Sequence, residues 1–530
     1  MTVQVSRLPS RKWSIVALGA AGMTTVLFSY LLLILLAFGC LALPFVLFLL
    51  VPSGHLDFAR IMISAFGLVV GFTIFASLLS DDPPFEAKGV QINLLKEPRL
   101  AREIKAIADG LNEPMPAEVY LVADANAFVL EAPAAGGKSK RRVMGLGLPL
   151  LQMMPIAQFR AVLAHEFGHY YAGDTRLGPW VYNARRAMEE VYKNLGKKSQ
   201  VLGFLRRWGL VAGLHRLLMS GLRIYWKLFM RITQAISRRQ EFRSDELACY
   251  VAGSQALIDG LETIRKCSAG LSAYWNAFVL PVAKGGYQPD LAHDFQRFMQ
   301  APSIAKATSE LLTQHASIAK PSPFDSHPPL SKRIEQARHV NLPAPEFFAS
   351  EVAADQPAIL LIDDLSSLEA GLLKKVVPVL ATADLKPLNW ETAGLDIYIP
   401  SWRKQVEPFL PFFATKKMGE LPLLVLDPRP VASLIPNPAN RKVNQSQRIA
   451  GAYDILYCAF ATCLLDNGWN LVTEPGNIIL VKGESTVDPG AVIGNLRSGK
   501  LTVVEWKNFR AEHGIGDWPL TAPVATLSAS

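Results

Sequence analysis

His165-Glu166-Phe167-Gly168-His169 places two imidazoles four positions apart, with a carboxylate beside the first. On a helix, positions i and i+4 lie about 40° apart, so both rings reach one metal ion. Glu166 lies about 100° round from His165, off the ligand stripe yet close enough to take a proton from a water that the metal activates. That is the chemistry of metal-assisted hydrolysis. Catalytic zinc ordinarily takes three protein ligands and keeps a position open, so one ligand is still wanted. Glu241 and Asp245 are again four apart, in the otherwise basic segment Ser237-Arg238-Arg239-Gln240-Glu241-Phe242-Arg243-Ser244-Asp245. One carboxylate can ligate the metal while the other accepts the second N–H of a ligand histidine and fixes its tautomer.

The pair HEFGH and SRRQEFRSDELA resembles the integral-membrane zinc metallopeptidases that include the CAAX prenyl endopeptidases and the bacterial heat-shock protease HtpX. The resemblance covers Val90 to Arg338. It implies one Zn2+ per chain held by His165, His169 and Glu241, with Glu166 as general base and Asp245 as partner of a ligand histidine. Asp124-Ala125-Asn126-Ala127-Phe128 is similar to the family's substrate-holding segment, which implies main-chain contacts from Asn126 and Ala127. Ser326-His327-Pro328-Pro329-Leu330-Ser331-Lys332-Arg333-Ile334 resembles its late element. There His327 is implied as a catalytic group on the developing oxyanion and Arg333 as a substrate contact. One departure stands out. Relatives place membrane spans between the two motifs, and here Arg206, Arg207, Arg216, Arg223, Lys227 and Arg231 make that interval too charged to span. An enclosed membrane chamber and a prenylated substrate do not follow.

These groups need elements to hold them. Pro155–Gly173 reads as a helix, with Pro in the first turn, apolar residues at helical spacing and Gly at the end. Glu118–Ala123 and Arg142–Gly147 read as strands, and an extended peptide can add to such an edge.

The chain has 530 residues, half of them hydrophobic and 19% charged, with a mean hydropathy of +0.21. Disorder and an ordinary soluble enzyme are both poor fits to those values. Residues 14–51 hold no charge, and as one helix at about 1.5 Å per residue they exceed a hydrocarbon core of about 30 Å. They form one tilted helix, or two short spans folded near Gly39 and Pro44. Residues 61–79, also uncharged, suffice to span once. Arg7, Arg11 and Lys12 precede the first run, and Lys88, Lys96, Arg99, Arg102 and Lys105 follow the second. Positive charge on both flanks asks for an even number of spans, hence a hairpin with both termini and the catalytic domain cytoplasmic.

Between Arg176 and Arg243 stand fifteen Lys and Arg against three Glu. Residues 202–232 interleave those charges with Leu, Trp and Phe, the pattern of a helix lying on anionic lipid. No nucleic-acid motif accompanies them. Gly136-Gly137-Lys138-Ser139 lacks the first glycine of a phosphate loop, since Ala132 holds that position. Asp174 reads as a helix-end carboxylate. Five Cys make no disulfide framework.

Beyond a Pro-, Ala- and Ser-rich stretch the chain reads as a second domain. Strands are predicted at Ile359–Ile362, Leu421–Leu426, Asn470–Thr473, Ile478–Lys482 and Leu501–Trp506, with a helix at Gln447–Leu465. The fold class is therefore α+β: a mainly helical zincin-type domain with a small edge sheet, an N-terminal helical hairpin and a mixed C-terminal domain. The boundaries are a tail at 1–13, two transmembrane helices in 14–80, a peptidase domain at 85–339, a linker at 340–358, the C-terminal domain at 359–518 and a loose tail at 519–530. The function expected is a membrane-anchored zinc endopeptidase acting on protein or peptide substrates. The alternative is a membrane scaffold, or a latent peptidase, whose zinc is structural or covered. Glu166 favours the enzyme, because a structural site needs no group to activate water.

Overall fold

The computed structural model describes residues 13–50, 57–79, 88–133, 140–171, 178–196, 209–318, 328–343, 352–436 and 444–521. His327, Asp174, the 136–139 loop and residues 202–208 of the basic segment lie outside the described residues. The chain is mainly helical with small sheets. It divides into two compact units, Met1–Arg265 with Ser317–Leu365, and Lys266–Ala316 with Ser366–Ser530.

The first unit opens with helices α1 (Trp13–Leu50) and α2 (Asp57–Leu78). α1 runs unbroken through Gly39 and Pro44, so the long apolar run is one helix, not two short spans. The two helices pack closely where small residues allow it. A Cβ on Gly67 would lie 2.7 Å from the Cys40 carbonyl oxygen, and one on Gly71 would lie 2.7 Å from Leu41 Cγ. Their outer faces show Leu35, Phe45, Leu49 and Phe72 to the surroundings. Gly22–Leu50 and Phe58–Leu78 are long and apolar enough to cross a membrane, and so by composition is Gln445–Asp466 in the second unit.

Next comes a four-stranded sheet of β1 (Gly89–Ile92), β2 (Glu118–Val122), β3 (Ala127–Pro133) and β4 (Lys140–Gly147), with α3 (Pro98–Gly110) after β1. The order is β1-β2-β4-β3, with β2 and β4 parallel and the outer pairings antiparallel. β3 is thus an edge strand. α4 (Leu148–Met153) leads into α5 (Ile156–Tyr171), and α6 (Gly178–Gly196) precedes the long α7 (Gly209–Ala252). α5 packs along α7. The backbone N–H groups of Ile156 and Ala157, which α5 leaves unpaired within itself, donate to the carbonyls of Gln356 and Ala354. Residues assigned by sequence to a linker therefore cap the helix of the chemical motif.

Three sequence expectations around this unit and the next are corrected. Ile359–Ile362 is not a strand: Ala358–Leu361 forms a short 3₁₀ turn. Leu421–Leu426 and Leu501–Trp506 are not strands either, since Leu421–Leu426 and Val503–Glu512 are helices. A short apolar run does not distinguish a strand from a buried helical turn by pattern alone. Pro422 in the first turn of one helix, and the Thr502–Glu505 capping box of the other, are the signals that decide.

The second unit is built round Gln445–Asp466. Its apolar residues join Trp402, Phe409, Phe413, Trp469 and Trp506 in one core, beside an antiparallel three-stranded sheet of Asn470–Glu474, Asn477–Lys482 and Ser485–Val487.

Candidate metal centre

α5 presents His165 and His169 on one face, and α7 presents Glu241 opposite them. His165 Nε2 lies 3.5 Å from Glu241 Oε2, and His169 Nε2 lies 3.7 Å from Glu241 Oε1. One ligand atom from each residue lies within 4.8 Å of the others, as donors round a single ion must. The two rings stand nearly perpendicular, with centroids 4.9 Å apart.

The close approach of α5 and α7 depends on Gly168, the residue between the ligands that sequence pattern left unexplained. A Cβ there would sit 3.0 Å from Ser244 Cα. Ser244 Oγ in turn lies 3.3 Å from His169 Nδ1, a partner missed from sequence although it stands one turn along from Glu241. Asp245 Oδ1 lies 2.9 Å from His165 Nδ1. Both histidines thus have a polar partner on the nitrogen turned away from Glu241.

Arg333 comes from α12 (Leu330–Val340), preceded in chain order by α8 (Ser254–Tyr274), α9 (Leu280–Lys284), α10 (Leu291–Gln300) and α11 (Pro302–Ile318). Its Nε and Nη2 lie 2.8 and 2.6 Å from the two oxygens of Asp245, and its Nη1 lies 3.6 Å from Glu241 Oε2. Burial works against the Asp245 carboxylate, but hydrogen bonds from Arg333 and His165 outweigh it and hold its pKa below the usual range. Burial likewise opposes charge on His165, and hydrogen bonds to Asp245 and Glu241 lift its pKa to about 9.

A cavity of about 280 Å³ opens beside the ligands, lined by Glu166, His165, Asn126 and Arg333 and walled by Val162, Leu257, Leu261 and Ile264. Asn126 stands at the head of edge strand β3. The donor set suits a divalent cation. Two imidazoles and a carboxylate are donors of the kind that hold a first-row divalent cation.

A family model, peptidase family M48, matches residues 94–341. These residues belong to peptidase family M48. The match spans α3 through α12 and so takes in every residue of the centre. The chain is 24% identical over 297 residues to "Protease HtpX" of Histophilus somni, which covers 52% of this chain and 85% of the relative. It is 28% identical over 233 residues to "Protease HtpX" of Pseudomonas fluorescens, covering 42% and 63%. To "Protease HtpX homolog" of Methylacidiphilum infernorum it is 24% identical over 244 residues, covering 42% and 78%. The M48 match and the relatives named HtpX mark a metalloprotease, in a family that uses zinc, and the apolar helices α1 and α2 associate it with a membrane.

The M48 domain also holds a buried contact that the sequence pattern did not reveal. Arg160 on α5 pairs through two nitrogens with Glu103 on α3, at 2.8 and 2.9 Å. Both are charged residues, 57 positions apart, and no local pattern links them.

Proposed function

We propose that the protein is a membrane-anchored zinc endopeptidase in which His165, His169 and Glu241 hold the ion and Glu166 is the general base. The observation that carries this reading is the convergence of those three donors at the cavity that Glu166 lines. A zinc ion bound there supplies Lewis acidity toward water and the scissile carbonyl. Glu166 takes the proton of the attacking water and returns one to the leaving amine. Asn126 and Ala127 align the substrate main chain along edge strand β3. The apolar wall of Val162, Leu257, Leu261 and Ile264 receives a substrate side chain and excludes water. His327 is assigned the oxyanion, as the family resemblance implies. The peptidase domain spans 85–339 and the α+β domain 359–518, joined by 340–358.

α1 and α2 form the membrane hairpin, with both termini and the catalytic domain cytoplasmic. α7 stands against that hairpin. Tyr225 donates a 2.5 Å hydrogen bond to Ser29, and the Phe66 and His215 rings meet edge to face. The outward face of α7 carries Leu210, Leu217, Ile224 and Leu228, each more than half exposed, beside exposed Arg216, Arg223, Lys227 and Arg231. That mixture supports contact with acyl chains and anionic headgroups.

The test is chelation. Removal of metal should abolish peptide hydrolysis, and stoichiometric zinc should restore it in wild type but not in His165→Ala. Full activity after complete metal removal would sink the proposal.

A further inference from the structure

We infer that Arg333 is a positioning residue of the metal centre, which acts through Asp245 to fix the tautomer and angle of the His165 ring. This rests on the reading of His165, His169 and Glu241 as zinc ligands.

Arg333 is 8% exposed, and its guanidinium edge is committed to Asp245. Nε meets Oδ2 and Nη2 meets Oδ1, a fork on a carboxylate that fixes its plane as well as its place. Asp245 Oδ1 is the same oxygen that faces His165 Nδ1 at 2.9 Å. An ionised carboxylate only accepts, so that nitrogen carries the proton and Nε2 keeps its lone pair for the ion. Arg333 Nη2 also lies 3.3 and 3.4 Å from the two His165 ring nitrogens.

Three helices are pinned together by this arrangement. His165 comes from α5, Asp245 from α7 and Arg333 from α12, and Arg333 and Asp245 are 88 positions apart. Asp245 is 1% exposed. Without Arg333, its Oδ2 would lose the charged donor that now satisfies it, and the carboxylate would turn toward other hydrogen bonds and away from His165. The sequence resemblance placed Arg333 on the substrate. Although it lines the cavity, the edge that could grip a substrate carbonyl faces Asp245.

The experiment is zinc affinity of the full chain by chelator competition, with the visible spectrum of the cobalt-substituted protein as a second readout. Wild type, Arg333→Gln, Arg333→Lys, Asp245→Asn and the double variant Asp245→Asn/Arg333→Gln are compared. Loss of a group that orients a ligand typically weakens metal binding roughly 10- to 100-fold. Arg333→Gln should fall in that range with an altered cobalt spectrum. Arg333→Lys, which makes one bond where Arg makes two, should lose less. In the Asp245→Asn background, Arg333→Gln should add almost nothing, because two residues acting through one contact are not additive.

Unchanged zinc affinity and cobalt spectrum with a loss of kcat would overturn the inference and put Arg333 on the substrate. An equal further loss in the Asp245→Asn background would also overturn it, since Arg333 would then act by another route. If Arg333→Gln does not fold, Arg333→Lys carries the test, and wild-type affinity and spectrum in that variant count against the inference. Failure of the underlying zinc reading is separate: wild type itself would then take up no stoichiometric zinc.

Discussion

Glu103 and Arg160 clamp α3 to α5, the helix that carries His165 and His169. The two-pronged ion pair at 2.8 and 2.9 Å is buried on both sides and lies five residues ahead of His165. Removing one partner of a buried pair leaves a charge in the interior and costs about 3–5 kcal/mol, whereas replacing both by apolar groups costs far less. Glu103→Ala should therefore lower stability by about that amount, measured by urea unfolding of the detergent-solubilised chain, while Glu103→Leu/Arg160→Met recovers most of it. Equal losses in both variants would show that the pair itself contributes little.

That clamp illustrates what the sequence could and could not reveal. His165, Glu166 and His169 were legible because the helix repeat alone brings them together. Glu241 and Asp245 were legible as a second four-residue pair, and the structure does bring Glu241 to the histidines. Ser244, Gly168 and the Glu103–Arg160 pair depend on how α3, α5 and α7 pack, and one-dimensional spacing carries no record of that. The C-terminal errors have a different cause. Val503 and Val504 are β-branched and suggest a strand, but the Thr502 cap starts a helix in which Trp506 reaches the core.

Gly168 sets the separation of α5 and α7. Overpacking at such a contact costs about 1–3 kcal/mol. Gly168→Val should push Ser244 and Glu241 away from the histidines, so zinc affinity falls along with thermal stability. Wild-type zinc affinity in this variant would mean that the helices tolerate the extra volume.

In the second unit, burial lifts the Glu369 pKa to about 8, with Asp290 adding to the rise and the Ala292 N–H opposing it. A carboxyl whose folded pKa is raised stabilises fully below its unfolded pKa, and that contribution is lost as pH climbs through the folded value. Melting temperature should therefore decline between pH 5 and about 8, and Glu369→Gln should flatten the decline. A slope unchanged by the substitution would assign the decline to other groups.

The outer face of α7 is predicted to meet lipid. A nitroxide placed at Leu217 or Ile224 in the reconstituted full chain should collide with oxygen more than with a water-soluble nickel complex, as a label at Leu31 of α1 should. A label at the exposed Lys306 provides the aqueous reference. If the Leu217 and Ile224 labels behave like Lys306 while Leu31 behaves as lipid-facing, α7 is solvated and only the hairpin enters the membrane.

The most direct test of the central claim measures zinc content and casein cleavage side by side in detergent-purified wild type and Glu166→Gln. Stoichiometric zinc in both proteins, with cleavage by wild type alone, is the predicted result, because the proposal gives Glu166 a proton to move and no part in holding the ion. Equal cleavage by the two, or wild type without zinc that still cleaves, would contradict it.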